Sequence, residues 1–207
     1  MATASDDFNR ANAATLGANW TQAKGDSARH GILGNQADAN GAADCGDYYS
    51  ATAFGGDQFS QATVVAVASL LQAVTVRGIT SGVNRDRYNG GHDFNDTGNK
   101  RHRIYKYVGG VWTSLGAHAS EDLTAGHVAR LEAVGTGLDL KINGVSKVAT
   151  TDASLASGQP GLYSVHGVAD VAMWDDWSGG DLATAGAVRR IAGPGGGLVG
   201  RQGGLAN

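Results

Sequence analysis

The sequence predicts an all-β fold of two packed antiparallel sheets, and three observations carry that expectation. Leu138, Leu140 and Ile142 alternate with Asp139, Lys141 and Asn143, the period-2 pattern of a half-buried strand. Asn143-Gly144 follows at once and Val145 resumes, a two-residue hairpin signal because both turn residues tolerate positive φ. Across the chain, 33 glycines against 2 prolines suit many tight turns, and the 19 acidic residues include only Glu121 and Glu132 as glutamates. Glutamate favours helices and aspartate does not, so long helices are not expected.

Taken in order, the expected strands are Asp7–Phe8, Trp20–Ala23, Gly31–Leu33, Tyr48–Ser50, Gln58–Val67, Ala73–Thr80 and Arg87–Phe94. Arg101–Val108, Val111–Leu115, His127–Val134, Leu138–Ile142, Val145–Ala149, Gly161–Val165 and Val168–Ser178 complete them. Regular short strands punctuated by glycine turns predict a sandwich or barrel rather than alternating helix-and-strand units. Gly109-Gly110, between Tyr107-Val108 and Val111-Trp112, is a second two-residue hairpin turn. Gly135-Thr136-Gly137 turns the chain between two further strands, while residues 122–126 read as one helical turn or a loop. In Trp174-Asp-Asp-Trp177 the rings are three apart, so one is expected in the core and the other on the opposite side.

A chain of 207 residues is ordinary for one sandwich and long enough to bury a core without staples. Its single cysteine, Cys45, excludes an internal disulfide and a cysteine-based metal knuckle. A formal charge of −3 offers no general attraction to nucleic acid or acidic membranes, and no nucleic-acid or membrane partner is expected. No stretch approaches the ~20 apolar residues of a membrane span. Residues 1–8 hold neither a basic run nor an apolar run, so synthesis in a cytoplasm without a signal peptide is expected.

Composition shifts after Trp177. Residues 179–207 are glycine-rich, with Arg189-Arg190 and the run Gly193-Pro-Gly-Gly-Gly. Such a tail cannot bury a core alone and holds one conformation only when neighbours clasp it. The expected organisation is therefore a sandwich over 1–178 and a tail over 179–207 that anchors the protein in an assembly.

Asp6-Asp7-Phe8-Asn9-Arg10, then Leu16-Gly17-Ala18-Asn19-Trp20, open the chain. Gly56-Asp57-Gln58-Phe59-Ser60, Tyr105-Lys106-Tyr107, Val111-Trp112, Arg130-Leu131-Glu132, Ile142-Asn143-Gly144-Val145 and Gly158-Gln159-Pro160-Gly161-Leu162 follow, and Trp174-Asp175-Asp176-Trp177 closes the series. In order and spacing, over about residues 5–178, the chain resembles the concanavalin A-like lectin and glucanase superfamily in its laminin-G-like jelly-roll form, as found in bacteriophage structural proteins. The resemblance implies one convex and one concave sheet, a last strand paired beside the first, and sugar binding on the concave face or at loop tips in many relatives. It also implies a calcium ion near the joined first and last strands, where Asp7 and Asp175, with Asp6 and Asp176, would converge. Carboxylates gathered in that way suit a hard cation; the competing reading leaves them solvated or paired with Arg10.

Retaining glycoside hydrolysis needs two carboxylates about 5 Å apart. The glucanase branch supplies them from a Glu-x-Asp-x-x-Glu strand, which this sequence lacks. Asp93 and Asp96 could imitate a pair but sit in a glycine-rich stretch, and neither a Gly-x-Ser-x-Gly elbow nor a His-Glu-x-x-His helix is present. The six histidines show no metal-ligand spacing. Residues 84–106 hold the densest polar cluster, from which Arg87, Tyr88, His92, Asp93, Asn95 and Asp96 form the candidate ligand site. Planar donors, acceptors and an aromatic ring are what a sugar site uses; the plainer reading is a solvated loop with the polar sides of two strands. The expectation is a non-catalytic bacteriophage virion protein, a capsid decoration or tail accessory. It would be a homo-oligomer, bound to other virion proteins through its tail and presenting a module to host glycans. The alternative is a carbohydrate-binding module or glycan-processing enzyme of the glucanase-like class.

Overall fold

The computed structural model describes residues 1–41, 44–67, 70–80, 85–95, 102–119, 122–165 and 173–183. These form fifteen strands: β1 (Thr3–Asp6), β2 (Trp20–Gln22), β3 (Arg29–Leu33), β4 (Gln36–Asn40), β5 (Asp44–Tyr49), β6 (Gln58–Ala66), β7 (Leu71–Gly78) and β8 (Arg87–Asp93) come first. Then follow β9 (His102–Val108), β10 (Val111–His118), β11 (Val128–Val134), β12 (Gly137–Ile142), β13 (Val145–Thr151), β14 (Gln159–Val165) and β15 (Met173–Asp181). One sheet runs β13-β12-β11-β6-β15-β4-β3 with β1 also on β15; the other runs β10-β9-β8-β7-β14-β5-β2. Every pairing between these strands is antiparallel. The expected all-β sandwich is what the chain forms, with its closing strand beside its first.

Alternation builds the core. Val74, Val76, Tyr88, Ile104 and Leu162 face inward from the seven-stranded sheet and meet Ala62, Val64, Leu131, Leu140 and Ile142 from the other. Trp20, Tyr49 and Trp177 pack together at one end, with ring centroids 4.7 Å and 5.2 Å from Trp177. The two expected hairpins are present, with Asn143-Gly144 at φ 51° and 78° and Gly109-Gly110 at 59° and 87°.

Three departures have local causes. β4 was not expected, because Gln36-Ala-Asp-Ala-Asn40 is poor in strand formers; Gly34-Asn35, both at positive φ, turns it back onto β3. The opening strand covers Thr3–Asp6 rather than Asp7–Phe8, since Phe8 sits at φ 52° with its ring in the core. Trp174 and Trp177 do not face opposite sides: both are buried in one cluster. The ladder between β15 and β6 slips between Asp175 and Ser178, and Asp176 takes φ 47°, so the extra residue returns Trp177 to the core. β15 continues to Asp181, three residues past the expected end of the sandwich at 178. The rest of the tail, from 184, lies outside the described residues.

Candidate functional site on the concave sheet

Strand alternation divides the expected site. On β8, Tyr88 and His92 point to the core side, while Arg87, Asn89 and Asp93 point outward. Tyr88 donates to Asp152 Oδ1 at 2.6 Å and accepts from the Leu155 amide, so it is a buried strut. His92 is buried, its Nδ1 3.2 Å from His102 Nδ1 and its ring 4.3 Å from Phe94. Asn95 sits past the strand end, exposed, its amide capping Asp93. Asp96, like Asn84, Lys100 and Arg101, lies outside the described residues. Of the five that are described, Arg87 and Asp93 share the outer face of β8; reading a contiguous run merged the two sides of a strand.

What gathers around Arg87 comes from other strands. Its guanidinium lies 4.1 Å from the Tyr163 ring centroid, 5.4 Å from Tyr107 and 5.5 Å from Trp112. Trp112 packs 4.8 Å from Tyr107, 5.8 Å from Tyr105 and 5.5 Å from Tyr163. In sheet order β10 and β14 are four strands apart, about 19 Å if the sheet were flat. Rings anchored that far apart meet because the sheet curls, so this outer face is the concave one, and aromatic side chains fill its hollow. Arg85 also lies over the Tyr107 ring, at 4.7 Å.

Arg87 is fully buried and its charge is matched by Asp26, which it contacts at 2.9 Å from a turn between β2 and β3. Arg85 reaches the same carboxylate at 2.7 Å and Asp44 at 3.3 Å. The approach of Asp26 depends on Gly46 of β5, where an added Cβ would stand 2.2 Å from Asp26 Oδ2. Burial alone pushes the Arg87 pKa down; Tyr48, Asp26 and Tyr163 oppose it more strongly, and the net direction is upward. Burial likewise raises the Tyr163 and Tyr48 hydroxyls, with Arg87 pulling against it in both. The cation is therefore permanent and the neighbouring phenols stay neutral.

At the rim, Trp112 is 37% exposed while Trp20, Trp174 and Trp177 are buried. Tyr105 donates to Asp93, and Arg103 lies 3.9 Å from the same carboxylate and 3.4 Å from Ser114. An aromatic ring open on one side, beside fixed donors and acceptors, is suited to the apolar face and hydroxyls of a sugar. The sequence named Arg87 and Asp93 but not Trp112, Tyr105, Tyr107 or Tyr163. Their signal was present in the alternation of Tyr105-Lys-Tyr107 and in the tight Gly109-Gly110 hairpin that places Trp112 opposite Tyr107.

Two other constellations bear on chemistry. His30 Nδ1 lies 3.0 Å from Asp47 Oδ2 and its Nε2 3.2 Å from Ser164 Oγ, a serine–histidine–aspartate order that the sequence, with these residues far apart, did not reveal. All three are completely buried and Trp174 Nε1 donates to the serine oxygen, so the network ties the two sheets together and meets no solvent. The expected calcium residues do converge in part. Asp7, Asp175 and Asp176 line one hollow with Asn9 and Asn35, whereas Asp6 is held by Arg10 and the Trp20 indole. Burial first, then Asp176 and Asp7, raise the Asp175 pKa. Among the described residues no three acidic, histidine or cysteine groups are placed to share an ion.

No protein-family model and no curated protein matches the sequence. Among solved structures, the carbohydrate-binding module CBM66 from Bacillus subtilis is similar at a TM-score of 0.57 and 14% identity, covering 79% of this chain and 92% of that one. A prokaryotic β-1,3-1,4-glucanase (lichenase) from a mouse hindgut metagenome is similar at 0.56 and 10% identity, covering 87% and 99%. The exoplasmic/lumenal domain of VIP36, in a Ca2+- and mannose-bound form, is similar at 0.57 and 8% identity, covering 82% and 86%. These likenesses establish a concanavalin A-like, galectin-like jelly-roll fold, the one that the sequence resembles.

Proposed function

We propose that this protein is a non-catalytic glycan-binding module whose ligand lies along the concave face of the seven-stranded sheet. The observation that carries the reading is Trp112: the half-open ring at the rim of an arginine–tyrosine cluster, flanked by Tyr105, Arg103 and Asp93. Similarity to a carbohydrate-binding module, a lectin domain with bound mannose and a glucanase supports a glycan as the ligand class.

The disposition of carboxylates supports binding without cleavage. On the concave side Asp26 is occupied by Arg85 and Arg87, and Asp93 by Tyr105 and Arg103. Glu132 lies on the outer face of the opposite sheet, clamped by Arg130 and Lys141 at 2.6 Å each. A glycosidase needs one acid to give a proton and a second group to attack or activate water, and these carboxylates are committed to cations instead. A glycan array, followed by a reducing-sugar assay on whatever binds, tests the reading. Binding without sugar release is the expected result; release of reducing sugar overturns it.

The proposed setting is the bacteriophage virion, with the module as a capsid decoration or tail accessory and the glycine-rich segment beyond β15 as its anchor. The composition of that segment supports this, since glycine-rich chain gains order only from neighbours. Deleting residues 184–207 should leave a folded sandwich that no longer joins its assembly, and incorporation of the truncated protein into particles would contradict the anchor.

A further inference from the structure

Three polar atoms on the concave face have no hydrogen-bonding partner although all are buried: Arg87 Nε, Asn89 Nδ2 and the Tyr163 hydroxyl. Folded proteins leave few such atoms, and each asks for an explanation. All three belong to the same face of the seven-stranded sheet. The Arg87 guanidinium stands over the Tyr163 ring, and Asn89 follows Arg87 by two residues on the same face of β8. The Asn89 carbonyl already accepts from Thr75 Oγ1 at 2.6 Å, which leaves its amide nitrogen as the open end.

The partner these atoms can take follows from their chemistry. The Arg87 Nε–H and the Asn89 NH2 can only donate, and the tyrosine hydroxyl can donate as well. Their partner is an acceptor, and it need not carry charge, because Asp26 already matches Arg87. The walls are aromatic: Tyr107, Trp112 and Tyr163. An acceptor joined to a small apolar group fits donors set among rings. We propose, building on the glycan reading above, that this site takes the acetamido group of a 2-acetamido sugar. Its carbonyl oxygen accepts from the buried donors and its methyl lies against the rings. Trp112, on an edge strand and the one substantially exposed ring of the cluster, swings outward to admit it.

Three trisaccharides that share one β-1,4-glucan backbone test this: tri-N-acetylchitotriose, its de-N-acetylated amine form, and cellotriose. Titration calorimetry on the full chain, alongside the glycan array, should show the acetylated sugar binding at least ~10-fold more tightly than either analogue, since a site built for a hydrogen bond rejects a ligand that leaves it unmade. Thr75→Val combined with Asn89→Leu removes one of the three open donors without orphaning the threonine hydroxyl. That double variant should lose most of the preference for the acetylated sugar, and an unchanged preference would overturn the assignment. Glycans bound with no preference for the acetamido group would overturn this inference and leave the glycan reading standing. No glycan bound at all would remove both.

Discussion

The outer faces of the two sheets are built from the same alternation and end in opposite states. On the eight-stranded sheet, Arg130, Glu132, Lys141 and Asp139 form a ladder across β11 and β12, and Ser146 donates to Asp139. Arg130 also covers the Phe59 ring at 3.8 Å. Each charge there meets its complement at the surface. On the seven-stranded sheet the cation is inside, ringed by aromatics, and donors remain without acceptors. A saturated polar face stabilises a sheet modestly and asks nothing of a ligand; an unsaturated one is held by the rest of the fold and has capacity left for binding. That contrast is the reason binding is proposed for the concave side.

The largest expected effect comes from breaking the buried pair. Arg87→Met leaves Asp26 buried and uncompensated and should cost about 3–5 kcal/mol in urea unfolding. Adding Asp26→Asn to it should recover part of the loss, because the stranded charge is removed. If Arg87→Met unfolds like the wild type, the two faces do not differ in the way described.

Next in size is the response to Trp112→Ala. Its ring is already partly exposed, so the stability loss should be well under the ~3–5 kcal/mol of a buried tryptophan truncation, while glycan binding falls below detection. Trp177→Ala, in the core, should show the reverse order of effects, with the full cost in stability.

On the other face, Glu132→Gln should cost no more than ~1 kcal/mol, as expected for partly exposed ion pairs. Its pH dependence is specific. Burial alone would raise the Glu132 pKa, but hydrogen bonds from Lys141 and Arg130 outweigh it and lower the pKa. A carboxylate depressed in the folded state contributes stability that is present above its unfolded value of about 4.3 and is lost as pH falls through its folded value. Unfolding midpoints measured from pH 6 down to pH 2 should therefore converge for wild type and Glu132→Gln at the acid end; a constant gap would contradict the assignment.

Much of the fold was legible because alternation and turn chemistry act over a few residues. The Asn143-Gly144 and Gly109-Gly110 hairpins, β11, β12 and the pairing of the last strand with the first follow from local pattern or from family resemblance. β4 was hidden because alanine and asparagine carry little strand preference and the strand exists through its pairing with β3. The Asp176 bulge was hidden because its extra residue registers only against β6. The site was half legible for a related reason. A run such as Arg87-Tyr88-Asn89 shows polarity but conceals which side each residue takes until the register is known. Tyr163 and Trp112 join Arg87 only through the curl of the sheet, a property of the whole layer.

The most direct test of the concave-face account is a heteronuclear NMR titration of the full chain with a glycan selected from the array, observing backbone amides and tryptophan indoles. The account predicts shifts centred on Trp112 with Tyr105, Tyr107 and Arg103, with Arg130, Glu132 and Lys141 undisturbed. Shifts confined to the Arg130–Glu132–Lys141 face would contradict it.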